Sequence, residues 1–414
     1  MIALSTVMLE LDVAARNVLR QRRRALFALL TIVGGVVALM LASGFIEWIF
    51  LQMRESTIQS QLGHVQVVRP RYFDGGAADP YANLLPADAA NGALQSLASA
   101  PGVQVVTPRL AFTGLVSFGD ATLSFSGEGV DPGKEIRLSN GIQIVSGEPL
   151  SPSDPVGLVI GEGLAANLGV KVGDRVVLLV TTKSGGVNGV ECHVRGIFST
   201  YSKAFDDSSL RVPLETVRKL VKVAGATNWV VVLDRTEDTD LFMEQYGEQL
   251  RGNGFEAVPW YHLADFYNKT VILFSRQVGV VKLLIGMIII LSISNTLSMA
   301  VIERMNEIGT VMALGKRRKA VLRMFIIEGA ILGFLGGALG VVVGYILAHI
   351  ISAIGIPMPP PPGMAKGYIG EIMITWSLVL DALLLAVGTT LIASVVPAWR
   401  ASNVIIVDAL RHQR

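Results

Sequence analysis

The sequence has little charge for its length. Only 16% of its 414 residues are Asp, Glu, Lys or Arg, whereas 51% are hydrophobic, and the mean hydropathy is +0.53. Soluble domains carry about 25% charged residues. This shortage excludes an ordinary soluble protein and indicates a membrane protein, in which the positions of the charges say more than the net charge of +2.

Several kinds of site are missing as well. The single cysteine, Cys192, excludes an intrachain disulfide framework. The five histidines are dispersed, and no pair has the i, i+4 spacing of a metal-binding helix, so we predict no metal site. There is no G-x-S-x-G, H-E-x-x-H or paired-cysteine motif. We therefore predict no catalytic residues and interpret the scattered acidic side chains as solvated surface groups.

Four apolar runs are long enough to cross a membrane as helices, which takes about 20 residues. The first is too long for the apolar region of a signal peptide and no A-x-A site follows it, so we interpret it as a retained anchor. The predicted division of the chain is a cytoplasmic amphipathic helix (1–24), a first transmembrane helix (25–50), a large α+β domain with helical stalks (51–275), a second transmembrane helix (276–302), a cytoplasmic helical loop (303–320), a third transmembrane helix (321–356), a short outer loop (357–372), a fourth transmembrane helix (373–399) and a cytoplasmic tail (400–414).

Basic residues indicate the orientation of these helices. A cluster of arginines, from Arg16 to Arg24, precedes the first apolar run, and residues 303–323 carry six basic and two acidic side chains. The positive-inside rule places these segments and both termini in the cytoplasm, and the α+β domain outside. The segment MLELDVAARNVLRQ has an apolar and a charged face, which favours a helix at the inner membrane surface. Alternatively, the first transmembrane helix simply begins early.

The segment between the first and second apolar runs has the pattern of an α+β domain. Short β-rich runs such as HVQVV, GLVIG and DRVVLLVTT alternate with helical patterns such as LETVRKLVKVA. At its two ends, residues 47–61 and 261–282 have sequences that can extend the neighbouring transmembrane helices. Continuous helices would tie the domain stiffly to the membrane part, whereas the alternative is a pair of ordinary linkers.

The third apolar run is rich in glycine at intervals of four residues. Such spacing allows very close approach of helices in lipid, to a neighbour in the same chain or to a second subunit. The residues are Gly333, Gly336, Gly337, Gly340 and Gly344. Asp381 stands at the start of the fourth run. Because residues 382–399 are uncharged and already span about 27 Å at 1.5 Å each, we interpret it as an interfacial carboxylate.

The charged stretch VIERMNEIGTVMALGKRRK lies between the second and third runs and superficially resembles a phosphate-binding loop. That loop has four residues between its glycines and a hydroxyl residue after the lysine. Here five residues separate Gly309 from Gly315, and Arg317 occupies the hydroxyl position. We predict that the chain binds no cofactor of its own, and that any ATP and Mg are bound by a partner ATPase.

This stretch resembles the core of the FtsX/MacB/LolC-LolE-type (type VII) permeases of ABC transporters. The matching elements are Glu303-Arg304, Glu307-Ile308-Gly309 and Ala313-Leu314-Gly315. The ending PAWRASNVIIVDALR is similar to the family's ending at Pro397, Arg400, Ala401 and Leu410, but departs from it at Val407-Asp408. AARNVLRQRRRALF resembles the family's start, and GEGLAANLGVKVGDRV resembles the outer domain of the MacB and LolC/LolE members.

The resemblance implies a non-catalytic permease subunit in the bacterial inner membrane. Two such chains, identical or paralogous, would pair with a dimer of ABC ATPase subunits, among membrane lipids and without nucleic acid. A periplasmic adaptor or substrate protein is a further partner that the resemblance allows. The coupling helix would contact the ATPase through Glu303, Arg304, Glu307, Ile308, Gly309, Met312, Ala313, Leu314 and Gly315. Of these, Gly315 would end the helix.

Two functions are compatible with this family. In the first, ATP-driven motion passes to the outer domain (mechanotransmission) and exports or extracts a lipoprotein, lipid, peptide or drug. In the second, the protein is an FtsX-like scaffold whose moving domain activates a periplasmic hydrolase without transport. The large outer domain favours the first, because the outer domains of scaffolds are usually smaller.

Overall fold

The computed structural model describes residues 16, 20, 22–75, 81–86, 92–138, 142–200, 202–358 and 368–404. Its chain divides into two compact units. The membrane unit comprises Met1–Phe50, Val271–Ile356 and Ile369–Arg414, and the large unit comprises Leu51–Thr270 and Pro357–Tyr368. The predicted surface helix at 1–24 lies almost entirely outside the described residues, as do most of the outer loop and the tail beyond residue 404.

The secondary structure follows in chain order. The helices are α1 (Arg22–Thr57, continued by a π-helical turn, Ile58–Leu62), α2 (Tyr72–Gly75), α3 (Gly92–Ala98), α4 (Pro132–Leu138), α5 (Glu162–Leu168), α6 (Lys203–Asp206), α7 (Leu214–Val221), α8 (Thr239–Gly252), α9 (Trp260–Leu263), α10 (Asp265–Glu303), α11 (Met305–Ala313), α12 (Arg318–Ile354) and α13 (Trp376–Ser402). The strands are β1 (Val65–Val68), β2 (Val103–Phe118), β3 (Ala121–Val130), β4 (Gln143–Gly147), β5 (Gly157–Gly161), β6 (Arg175–Thr181), β7 (Val187–Ser199), β8 (Ser209–Pro213), β9 (Asn228–Leu233), β10 (Glu256–Pro259), β11 (Ile356–Met358) and β12 (Tyr368–Gly370).

Among the described residues, four helices are long and apolar enough to span a membrane, namely α1, α10, α12 and α13. This confirms the predicted number of transmembrane helices. Two of them also continue beyond their apolar runs, because α1 reaches Thr57 and α10 already begins at Asp265. Helices rather than irregular linkers therefore occupy these two positions.

The glycines of α12 pack against helices of the same chain. A Cβ atom on Gly336 would lie 2.8 Å from Cγ2 of Ile32 in α1, and one on Gly340 would lie 2.7 Å from Cβ of Val36. A Cβ atom on Gly333 would overlap Oγ1 of Thr390 in α13. Gly337 likewise faces α13, and Gly344 faces Met40 of α1. All five glycines are buried, so their close approach serves packing within the membrane unit.

The large unit confirms the predicted α+β domain. Its ten strands have the order β10-β1-β9-β2-β3-β8-β5-β7-β4, with β6 pairing with β2 and β7. The pairs β3–β8 and β5–β7 are parallel, and the other paired strands are antiparallel. One apolar core forms around Phe112 and Val194, and a second forms around Trp229 and Phe242. The long strand β2 contributes to both cores, through Leu110 and Val106.

Candidate functional site

The charged stretch between α10 and α12 folds as the short helix α11. Arg304 interrupts the helical backbone after α10 and serves as the N-cap residue of α11. At the other end, Gly315 has φ +96°, the left-handed conformation that glycine adopts most easily. Its N–H bonds to the carbonyl of Met312 at 3.0 Å, and that of Lys316 bonds to the carbonyl of Val311 at 3.2 Å. This is the Schellman pattern, so Gly315 ends the helix.

One face of α11 is buried against the rest of the membrane unit. Ile308 and Met312 pack in an apolar cluster with Phe325 of α12 and with Ala398 and Ala401 of α13, and Gly309 is buried on the same face. The C-terminal motif therefore contacts α11. Of that motif, Pro397 is also buried, inside α13, and Arg400 is exposed, while Leu410 lies outside the described residues.

Charged side chains fix α11 in place. Arg304 Nη1 donates to Glu328 Oε1 of α12 at 3.0 Å, and the Glu328 side chain is only 4% exposed. At the start of α1, Arg24 pairs with Glu303. Glu307 accepts a hydrogen bond from Arg20 Nη2 at 3.4 Å and lies 3.7 Å from Nε of Arg304. All three charges predicted to meet the ATPase thus have partners within the chain, and the ATPase contact remains a prediction.

The opposite face of α11 is open. Leu314 is 83% exposed, and Ala313 and Val311 are exposed as well. A shallow pocket of about 170 Å³ lies beside this face, lined by Arg304, Glu307, Ile308, Val311, Lys316, Val321 and Met324. The basic residues Lys316, Arg317 and Lys319 are exposed next to it. This surface therefore combines exposed apolar side chains with a positively charged rim.

Asp381 forms an ion pair with Lys282 in the membrane unit. Its Oδ2 atom accepts a hydrogen bond from Lys282 Nζ at 2.8 Å, and both side chains are partly exposed. Asp381 lies in the second turn of α13, which begins at Trp376. An ion pair at the end of a helix needs no intramembrane function to explain it.

Some acidic side chains of the large unit contradict the prediction of a solvated surface. Glu135 is buried and Glu128 is partly buried, and both lie beside the buried arginines Arg109 and Arg211. No local sequence pattern reveals this cluster, because its members come from separate strands and a helix. Within the described parts of the chain, no group of three or more His, Cys, Asp or Glu side chains could hold a metal ion.

Two known protein families match separate parts of this chain. Residues 25–248 match the MacB-like periplasmic core domain, and residues 279–404 match the FtsX-like permease C-terminal domain. The chain belongs to the MacB- and FtsX-like family of ABC transporter permeases. Within this permease, the second match includes α11, most of α10, and the whole of α12 and α13.

Several known proteins are similar in sequence to this permease. An uncharacterized ABC transporter permease of Methanocaldococcus jannaschii is 28% identical over 67% of this chain and 68% of its own length. The macrolide export ATP-binding/permease protein MacB of Syntrophobacter fumaroxidans is 32% identical over 47% of this chain, but over only 26% of its own length. The lipoprotein-releasing system transmembrane protein LolC of Xylella fastidiosa is 25% identical over 69% and 72%. A structural match to the solved periplasmic region of MacB from Actinobacillus actinomycetemcomitans spans 50% of this chain and 92% of that structure. The sequence identity is 15% and the TM-score is 0.36.

Proposed function

We propose that this permease couples ATP hydrolysis by a separate ATPase subunit to a conformational change in its large domain. The coupling contact is α11, on the cytoplasmic side. The result is export or extraction of a lipoprotein, lipid, peptide or drug from the outer side of the inner membrane. The family to which the chain belongs supports the class of function, and the geometry of α11 supports the contact.

The exposed apolar face of α11 is the observation that carries this proposal. Leu314 and Val311 are exposed on a short helix in the most basic connection of the membrane unit. The opposite face is buried at Ile308 and Met312 and held by the ion pair of Arg304 with Glu328. A partner that moves the exposed face therefore also moves α12 and α13, because they share the buried cluster.

The ATPase is expected on a different chain. The glycine spacing at Gly309 and Gly315 does not form a phosphate-binding loop, and the segment is helical rather than a loop after a strand. The relative from Syntrophobacter is named as both ATP-binding and permease, and its match to this chain spans only 26% of its length. The basic residues at 304–323 favour a cytoplasmic position for α11, where ATP is available.

Transport is favoured over a signalling scaffold. Two relatives are named for macrolide export and for lipoprotein release, which are both transport functions. The large unit of this permease, Leu51–Thr270, also has an extended ten-stranded sheet rather than a small domain. Reconstitution with the ATPase separates the two functions, because ATP hydrolysis stimulated by a lipidated or drug substrate indicates transport, and activation of a hydrolase alone indicates a scaffold.

A matched pair of variants tests the coupling contact. Leu314→Asp puts a charge on the exposed face of α11, and Leu241→Asp makes the same change at a leucine of α8 that is 53% exposed. Neither change removes a buried contact, so both variants should fold. The full chain is affinity-purified from its native membranes, and the co-purifying MgATP hydrolysis is measured. We expect Leu314→Asp to lose most of this activity and Leu241→Asp to keep it; equal activity in both variants would contradict the assignment of α11.

A further inference from the structure

Four charged side chains surround the end of α1 in the large unit. They are Arg109 on β2, Glu128 on β3, Glu135 on α4 and Arg211 on β8. The side chains of Arg109 and Arg211 are only 2% and 4% exposed. Two positive and two negative charges balance one another, as buried charges must. Arg211 and Glu128 are direct neighbours across the parallel pair β3–β8.

Each guanidinium contacts both carboxylates. Arg109 Nε lies 3.0 Å from Glu135 Oε1, and its Nη1 lies 3.4 Å from Glu128 Oε2. Arg211 Nη2 lies 2.8 Å from Glu128 Oε2, and its Nη1 lies 3.2 Å from Glu135 Oε2. Burial by itself would raise the pKa of Glu128, but Arg109 and Arg211 outweigh it and lower that pKa. The Glu128 side chain is therefore a carboxylate near neutral pH.

The two arginines also bind the backbone of α1. Arg211 Nη2 donates to the carbonyl oxygen of Ser60 at 2.6 Å, and Arg109 Nη1 donates to that of Gln61 at 2.7 Å. Both carbonyls belong to the π-helical turn Ile58–Leu62. The last carbonyls of a helix have no partner within it and carry partial negative charge. The two guanidinium groups supply these carbonyls with both hydrogen-bond donors and positive charge.

The covalent path from this turn into the sheet is short and contains a glycine. Gly63, with φ +65°, and His64 connect the turn to β1. Glycine has the widest backbone freedom, so the covalent path alone would let the helix end pivot. Hydrogen bonds from two buried arginines to the preceding turn remove much of this freedom. Apolar side chains often stabilise a core as well as buried ion pairs do. The presence of charged residues here is therefore best explained by the hydrogen bonds that the two arginines donate to the helix carbonyls.

We propose that these four charges form a clamp through which displacement of α1 reaches the sheet of the large domain. This inference rests on the proposed function, because it presupposes that ATP hydrolysis displaces the membrane helices. Arg109 lies on β2, which pairs with β9, β3 and β6, and Arg211 lies on β8, which pairs with β3 and β5. A force on the Ser60 and Gln61 carbonyls is therefore distributed over five strand pairings of the sheet.

The first test measures the clamp without nucleotide. Amide hydrogen exchange of the full chain in lipid nanodiscs is compared between the wild type and the double variant Arg211→Gln/Glu128→Gln, which removes one charge of each sign. The control is Arg175→Gln/Glu191→Gln, an exposed ion pair with a separation of 3.2 Å. We expect the amides of residues 58–63 to exchange at least about tenfold faster in the clamp variant, because a charge-assisted bond has been lost. The control should match the wild type.

A conservative variant guards against simple unfolding. Arg211→Lys keeps the positive charge, but one ammonium group cannot reach Glu128, Glu135 and the Ser60 carbonyl in the geometry of the guanidinium fork. Residues 58–63 should again exchange faster, while strands β3 and β8 stay protected. Wild-type exchange at 58–63 in a folded Arg211→Lys protein would overturn the clamp.

The second test measures transmission. The complex with its co-purifying ATPase is trapped with ATP and vanadate, and exchange in residues 103–259 is compared with the nucleotide-free state. In the wild type we expect a nucleotide-dependent change there, and in Arg211→Lys a change restricted to the membrane helices. A variant that transmits the same change as the wild type would refute the clamp. If the wild type shows no change at all, the proposed coupling function fails, whatever the first test shows about the helix end.

Discussion

Replacing Gly340 by alanine tests the packing of the membrane unit. A Cβ atom at this position would lie 2.7 Å from Cβ and 2.8 Å from Cγ1 of Val36, and 3.3 Å from the backbone Cα of Val33. Rotating the valine side chain moves Cγ1 but leaves Cβ and the backbone in place. Helices α12 and α1 must therefore separate before the new methyl group fits, and every contact along their interface is weakened.

Gly388 provides a matched control. It lies within α13, and a Cβ atom on it would meet nothing within 4 Å. In both positions alanine raises the helix propensity by a similar amount, so this gain cancels in the comparison. What remains is the overpacking at Gly340, which typically costs about 1–3 kcal/mol. We expect Gly340→Ala to be less stable than Gly388→Ala by this amount.

The assay is reversible unfolding in mixed micelles of dodecyl maltoside and sodium dodecyl sulfate, followed by circular dichroism. The quantity compared is the difference in the free energy of unfolding between the two alanine variants. Equal stabilities, or a more stable Gly340→Ala protein, would show that α1 and α12 do not approach as closely as the structure requires.

Further predictions concern buried polar groups. Burial lowers the pKa of His64 from 6.5 to about 4, so the unfolded chain binds a proton more readily than the folded domain does. The contribution of neutral His64 to stability should therefore be complete above pH 6.5, and the large domain should lose up to about 3 kcal/mol as the pH falls toward 4. Thermal unfolding measures this loss, with His64→Asn as the control. Arg304→Gln removes the guanidinium that pairs with the buried carboxylate of Glu328 and should destabilise the membrane unit by about 3–5 kcal/mol in the mixed-micelle assay, far more than Lys282→Gln at the exposed pair. Burial also raises the pKa of Cys192 to about 12, so maleimide should label it only after unfolding, and rapid labelling of the native protein would contradict its buried position.

The sequence was sufficient to predict the transmembrane helices and the α+β domain. Apolar run length alone identifies a spanning helix, because backbone groups in lipid must bond within the segment. The end of α11 could also be predicted, because a glycine that can adopt the left-handed conformation is a local signal for the end of a helix, and Gly315 adopts it. Patterns of this kind depend on residues that are near one another in the chain.

Partners far apart in the sequence could not be predicted. Four-residue spacing indicated that the glycines of α12 pack closely, but their contacts with α1 and α13 depend on the tertiary arrangement. Glu303 and Glu307 pair with arginines 279 and 287 residues away. Glu128 meets Arg211 across 83 residues because of strand register, which no local pattern specifies.

Site-specific cross-linking from α11 tests the coupling contact most directly. Cys192 is the single cysteine and is buried, so a cysteine introduced at Leu314 can be labelled selectively with a maleimide photo-cross-linker. A cysteine at Leu241, on the large domain, is the control. In native membranes we predict a light-dependent adduct with the ATPase subunit from position 314 and none from position 241. A complex that hydrolyses ATP but gives no adduct from position 314, or gives equal adducts from both, would contradict the docking of α11.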